Sequence, residues 1–191
     1  MKANHGRFVA AGLLLIAACA ARAQDFGAPM LLVAVPGTQG AYSRTALVVV
    51  PGTGGHAGFI LNRASDVKLA AVLPRDPRSA KLAAPVRFGG PLGSKVVYAI
   101  VRHDPGEGAK RLFGDVFMTT GAKTLDRIVE QRPQEARFFA GMVIWLPGEL
   151  EAQIESGEWM VTRPDAAMVF HRDPDAMWGE LVARLSKTAL K

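Results

Sequence analysis

Thr45-Ala-Leu-Val-Val-Val-Pro-Gly-Thr-Gly-Gly-His-Ala-Gly-Phe-Ile-Leu-Asn62 is the stretch on which the fold turns. A β-branched run reaches Val50, Pro51-Gly52 stops it, a glycine-rich connection follows, and Phe59-Ile-Leu61 resumes the apolar pattern. That order reads as a β-hairpin over residues 45–62. Gly52 to Ala57 also has the outline of a dinucleotide-binding loop. Such a loop must open a helix whose N-terminus meets the pyrophosphate. The β-prone Phe59-Ile-Leu61 that follows makes a hairpin turn the better reading.

Working outward, Met30 to Val35 is an apolar run stopped by Pro36-Gly37, as expected of a buried strand. Val33 to Thr38 and Val48 to Thr53 echo one another, but two copies do not make a repeat array. Downstream, residues 74–85 read as a loop and Val86-Arg-Phe88 as a strand ending in Gly89-Gly90-Pro91. Lys95 to Arg102 is a further strand, and Asp104 to Arg111 a polar loop. The second half mixes types. Ala122 to Gln131 sets Leu125, Ile128 and Val129 on one helical face, and Phe138 to Trp145 is strand-like. Pro147 sits at a helix start with Leu150 and Ile154 pointing one way, closed by Gly157. Glu158 to Thr162 and Met168 to His171 read as short strands. Asp173-Pro174 caps a last helix carrying Met177, Trp178, Leu181, Val182 and Leu185 on one stripe, so Trp178 is expected to be well buried. Strands first and mixed elements later predict an α+β chain.

The first residues have the three parts of a secretory signal. Lys2 and Arg7 are positive, Phe8 to Ala20 is apolar, and Ala21-Arg22-Ala23 offers small residues for cleavage. The apolar run is shorter than the roughly 20 residues needed to span a bilayer. The expected division is a signal peptide over 1–23 and a single domain over 24–191, working in the periplasm or secreted. A competing reading takes Ile16-Ala-Ala-Cys19 as a lipobox, with a lipid anchor on Cys19. Cleavage after Ala23 leaves about 170 residues, enough to bury a core as one domain. It also removes three basic residues and no acid, which halves the formal net charge of +6. The remaining Lys and Arg look scattered, so no nucleic acid is expected as a partner. Cys19 is the only cysteine, so the processed chain has no disulfide and no thiol chemistry.

No motif announces a reaction. No two of His56, His103 and His171 stand three or four residues apart as a metal-binding pair would, and Ser43 and Ser94 lack a nucleophile elbow. No catalytic residue, metal site or cofactor is expected. Arg44-Thr45 precede one hairpin strand and Asn62-Arg63 follow the other, so strand pairing should bring these ends together. Asn62 then bonds backbone or contacts a ligand. Gly89-Gly90-Pro91 is a tight strand exit or an anion-binding nest of backbone N–H groups. Trp145 and Trp159 read as packing residues. Glu149 reads as a partner of the helix dipole before it reads as a general acid.

Several of these pieces occur together in one family. Leu32-Val-Ala-Val-Pro-Gly37, Tyr42-Ser-Arg-Thr45, His56 to Arg63, Phe88-Gly-Gly-Pro91, Trp145-Leu-Pro-Gly-Glu-Leu-Glu151, Gly157-Glu-Trp159, Asp165 and Met177-Trp178 make the chain similar to the YqgE/AlgH family over roughly residues 28–187. Members of that family are uncharacterised or described as transcriptional regulators. The resemblance implies a mixed, mostly antiparallel sheet curled into a partial barrel with helices packed outside. Two departures stand out: Val50-Pro51 replaces the family's acid–His pair, and members usually lack an export signal.

Together these readings predict a non-enzymatic binding or regulatory module in the cell envelope, its partner a protein, peptide or small molecule. The alternatives are an enzyme of unrecognised chemistry in a shallow cleft and a transcriptional regulator. The ligand-binding candidates are Asn62, Gly89, Gly90, Pro91, Trp145, Pro147 and Gly148. At least two of the three segments they form are expected to lie side by side around a shallow concavity, with the Pro147 helix start as an anion site.

Overall fold

The computed structural model describes residues 24–72 and 85–189. The expected signal peptide, the lipobox cysteine and most of the 74–85 loop fall outside the described residues.

The hairpin forms as expected. Strand β2 (Ala46–Gly52) pairs antiparallel with β3 (Gly55–Ile60), with Thr53-Gly54 as the turn. On one side β2 pairs with β1 (Met30–Ala34), and β1 pairs with β10 (Trp159–Thr162), all antiparallel. On the other side β3 meets β9 (Ala136–Trp145), the long strand that joins the two halves of the sheet. The first part of β9 lies between β5 (Pro85–Phe88), its parallel neighbour, and β6 (Leu92–Arg102). From Val143 onward it pairs with β3. The change of partner occurs beside Gly141, whose φ of 70° few other residues could adopt. Among the described residues this bend curls a ten-stranded sheet whose main path runs β10-β1-β2-β3-β9-β6 and on through β8 (Val116–Thr119) to β7 (Lys110–Phe113), with β5 and its partner β4 (Ala64–Lys68) branching from β9.

The apolar runs are continuous because both faces of the sheet are covered. In β1, Leu31 and Val33 enter one core while Met30, Leu32 and Ala34 enter another. In β2, Ala46 and Val48 divide from Leu47 and Val49 in the same way. Period-two alternation thus distributes one apolar strand between two layers. The first core is covered by α4 (Ala166–Val169) and α5 (Pro174–Ala189), which supply Val169, Met177 and Leu181. α3 (Glu149–Glu155) covers the second through Leu150. A third core joins α2 (Ala122–Gln131), through Leu125, Ile128 and Val129, to Val86, Ala99 and Phe138.

Several expectations need correcting. Met168–His171 is not a strand. Asp165 Oδ1 accepts the Ala167 N–H at 2.8 Å and starts the short helix α4 instead, a cap that outweighs an apolar run of four. Pro147 is not the first helical residue; it precedes Gly148, the N-cap of α3. Part of the polar stretch after Asp104 is sheet, as β7 (Lys110–Phe113), followed by β8 (Val116–Thr119). The strand β4 (Ala64–Lys68) and the short helix α1 (Leu69–Val72) have no counterpart in the reading above. Trp178 is only half-buried, at the edge of the stripe whose centre is Met177 and Leu181. The expected cap of α5 is present, with Asp173 Oδ1 accepting from Asp175 N and Ala176 N at 3.0 and 3.1 Å.

Candidate functional site

Antiparallel pairing puts the start of β2 beside the end of β3, and Asn62 fastens them. Its Oδ1 accepts the Ala46 N–H at 2.9 Å, and its Nδ2 donates to the Arg44 carbonyl at 2.9 Å. Arg44 is thereby held at φ 55°, a left-handed conformation costing roughly 1–2 kcal/mol for a residue with a Cβ. Strain of this kind collects where function requires a fixed geometry. The Arg44 guanidinium lies 4.9 Å from the centre of the Trp178 ring. Trp178 is anchored in turn by donating Nε1–H to the Ala34 carbonyl at 2.9 Å.

Ser43, Arg44, Thr45, Asn62, Arg63, Asp175 and Trp178 line an open concavity of about 300 Å³. Its lining thus holds two guanidiniums and one carboxylate, with the Arg44 guanidinium stacked on the Trp178 ring. Behind it, burial pushes the Tyr42 phenol above its ordinary range, and the Arg63 charge pulls the other way. Tyr42 packs edge-on against Trp159, 5.6 Å between ring centres. The anticipated meeting of Arg44-Thr45 with Asn62-Arg63 is thus present. Asp175 and the Trp178 stack escaped the sequence reading because α5 is more than a hundred residues away; the Asp173 cap, which fixes where α5 starts, was the available signal.

Gly89 and Gly90 neighbour this site through the sheet. Ile60 N–H donates to the Gly89 carbonyl at 2.9 Å, and Phe88 N–H donates to the Arg63 carbonyl at 3.0 Å. The Gly89 N–H, the donor a nest would need, is committed to the Ala140 carbonyl at 2.9 Å. Both glycines press backbone against the bend in β9. A Cβ on Gly89 would stand 2.3 Å from the Gly141 oxygen, and one on Gly90 would stand 2.2 Å from the Met142 carbonyl carbon. Pro91 is exposed at the exit.

The third segment lies elsewhere. Trp145 pairs with His56, at the opposite end of β3 from Ile60, about 13 Å away at the usual rise of a strand. Asn62 and Gly89-Gly90 are therefore neighbours through the sheet, but of the three segments only Asn62 lines the concavity, and Trp145, Pro147 and Gly148 lie apart from both. The buried Trp145 and Trp159 donate their indole N–H groups to one acceptor, Gln153 Oε1, at 2.9 and 3.0 Å. Pro147 and Gly148 are exposed. At this helix start Glu149 Oε2 accepts the Leu146 N–H at 2.8 Å, so the chain's own carboxylate sits where the anion was expected. His56 is buried, with Nε2 2.9 Å from the Phe26 carbonyl and Nδ1 lacking a partner among the described residues.

Among the described residues no group of three or more His, Cys, Asp or Glu could hold a metal ion. No helix among them is long and apolar enough to cross a membrane.

Known proteins resemble this chain in sequence and in fold. The AlgH-like family model matches residues 31–189. A UPF0301 protein of Chlorobium luteolum is 28% identical over 184 residues, covering 94% of this chain and 87% of its own. One from Thermobifida fusca is 30% identical over 167 residues, covering 81% and 84%. The solution structure of the AlgH protein from Pseudomonas aeruginosa superposes with a TM-score of 0.71 at 22% identity, covering 84% of this chain and 88% of that one. A crystal structure of a Corynebacterium diphtheriae protein gives 0.69 at 23% identity over the same shares. At these identities the two structures speak for the fold: a mixed α+β domain with a curled, mostly antiparallel sheet.

Proposed function

The chain belongs to the AlgH-like family, and on that premise we propose that it is a non-enzymatic binding module whose recognition surface is the concavity between the β2–β3 ends and the start of α5. The observation that carries this reading is convergence. Three pieces far apart in sequence, Ser43–Thr45, Asn62–Arg63 and Asp175–Trp178, line one cavity of about 300 Å³. That volume is at the small end of ligand sites. Arg44 and Arg63 suit a carboxylate, and Asp175 suits an ammonium. The occupant is therefore a peptide or a small zwitterion. Sugar and nucleic-acid backbones offer no ammonium for Asp175.

The same proposal puts the module in the cell envelope. Its support is the charged start, short apolar run and Ala-x-Ala site of residues 1–23. Fractionation followed by N-terminal sequencing should find Gln24 first on envelope protein; an intact Met1 on cytosolic protein would refute export.

Recognition is tested by immobilising the processed protein and its Arg63→Ala variant, passing envelope extract over both, and identifying retained peptides and small molecules by mass spectrometry. The expected result is a species held by the parent and lost from the variant. Identical retention on both would rule out the concavity as the recognition surface.

A further inference from the structure

We infer that a second groove, separate from the concavity above, binds the phosphate of a small sugar phosphate or nucleoside monophosphate. It lies between the end of β6, the outer face of α2 and the entry to β9. The arginines that line it looked scattered in sequence, and the fold gathers them. Arg102, Arg127 and Arg132 surround a cavity of about 290 Å³ whose floor is the apolar Val101, Ile128 and Pro105. A contiguous hollow of about 400 Å³ shares Arg102 and Arg132 and extends to Arg137 and Phe170.

The state of each guanidinium argues for a phosphate. Arg102 is aimed by Asp115, whose Oδ2 accepts from Nε at 2.9 Å and from a terminal nitrogen at 2.7 Å. Arg132 is held loosely, 3.6 Å from Glu135. Arg127 meets no carboxylate among the described residues and donates only a long bond, 3.3 Å, to the Thr124 hydroxyl. Thr124 in turn donates to the Glu107 carbonyl at 2.8 Å, fixing the 103–109 loop against α2. Arg137 lies 5.5 Å from the centre of the Phe170 ring; one terminal nitrogen donates to the Phe170 carbonyl at 3.0 Å and the other to the Ala136 carbonyl at 3.0 Å, and its buried Nε has no partner among the described residues. Arg127 and the loosely held Arg132 thus offer the planar forks that phosphate oxygens accept bidentately, while Arg102 and Arg137, each with two nitrogens already committed, add positive charge beside them.

The acids define the rest of the ligand. Asp104 and Glu135 also line the cavity, and two carboxylates repel a continuous polyanion such as a nucleic-acid backbone. Asp104 Oδ1 is committed to the Gly106 N–H at 2.8 Å, which leaves Oδ2 to accept from a ligand hydroxyl. A phosphate on the arginines, hydroxyls toward Asp104 and a compact body on Pro105 and Ile128 describe a phosphorylated sugar or nucleoside. The cavity size suits a molecule of that class. His103, at φ 65°, begins the loop in a conformation rare outside glycine, fixed by its N–H bond to the Asp115 carbonyl at 2.7 Å.

The test is an NMR titration of the processed protein with AMP, ribose 5-phosphate, adenosine and inorganic phosphate, reading backbone amide shifts. AMP or ribose 5-phosphate should move the signals of residues 102–106 and 127–132. Arg127→Gln should weaken the stronger of the two by about tenfold, the loss of one charge-assisted contact. Arg63→Gln, in the other concavity, should leave that affinity unchanged, so this inference and the proposed function fail independently. A thermal melt accompanies each variant, and Arg132→Gln replaces Arg127→Gln if the latter is destabilised. The inference is overturned if neither phosphorylated probe moves these signals at millimolar concentration, or if adenosine or inorganic phosphate binds as tightly as the stronger of the two. It is also overturned if the arginine substitution has no effect.

Discussion

Replacing Gly90 with alanine separates two explanations of the Gly89-Gly90-Pro91 turn. Gly90 has no positive φ, so on backbone entropy alone Gly90→Ala should stabilise by about 0.4–1 kcal/mol. The packing predicts the reverse. A Cβ there would lie 2.2 Å from the Met142 carbonyl carbon, 2.4 Å from its oxygen and 2.5 Å from the Val143 nitrogen, all backbone atoms that no rotamer change can move aside. Overpacking typically costs about 1–3 kcal/mol, and a main-chain overlap belongs at the upper end. We expect a loss of about 3 kcal/mol, read as a fall in melting temperature of roughly 6–12 °C for a domain of this size. Gly54→Ala is the control. Nothing lies within 4 Å of its Cβ position and its φ is not positive, so it should gain about 0.4–1 kcal/mol. Urea denaturation of both variants gives the comparison. A Gly90→Ala protein within about 0.5 kcal/mol of the parent would refute the close contact of this turn with β9, and with it the packing account of the two glycines.

Gln153→Leu leaves two indole N–H groups without their acceptor, one of them on the buried Trp145, and should cost about 3 kcal/mol; Gln153→Glu keeps an acceptor and should cost less in the same urea assay. Asn62→Ala removes two bonds to backbone that hold the Arg44 turn and should cost about 2 kcal/mol by denaturation, with altered amide shifts confined to residues 43–46 and 60–63 as the spectroscopic check. Burial raises the phenol pKa of both Tyr42 and Tyr98, so the folded state holds them neutral. Stability from this source is complete below about pH 10, the ordinary phenol value, and is lost as pH rises from there through the raised folded values. Tyr42→Phe should flatten part of that alkaline fall, and an unchanged profile would count against burial as the cause.

The elements most legible in sequence were those with strong local punctuation. The hairpin from Thr45 to Asn62, the strand before Pro36-Gly37, the amphipathic face of α2 and the Asp173 cap of α5 all stand where local chemistry put them. Legibility failed where a short segment is decided by its neighbours. β4, with the burial pattern of a strand half open to solvent, is a strand because β5 lies beside it, and its own residues, Ala64 to Lys68, carry no apolar run. Met168 to His171 looked like a strand because its apolar residues are adjacent, while the deciding residue, Asp165, lies outside the run.

Sequence by itself determined the α+β class, the hairpin, the Asp173 cap of α5 and the closeness of Arg44 to Asn62, because each follows from residues within a turn or one strand pairing of each other. It also marked Gly89-Gly90 as a tight passage without saying against what. Only the tertiary structure decided that β9 changes partners at Gly141, that Asp175 and Trp178 complete the Arg44–Arg63 concavity, and that Trp145 belongs to the far end of β3. The same holds for the arginine groove, where Arg102, Arg127, Arg132 and Arg137 come from two strands, a helix and the residue just after that helix. The reason is range. Hydrogen-bonded turns, caps and hydrophobic periods act over a few residues and can be read in order, whereas a cavity wall is set by which distant surfaces burial forces together.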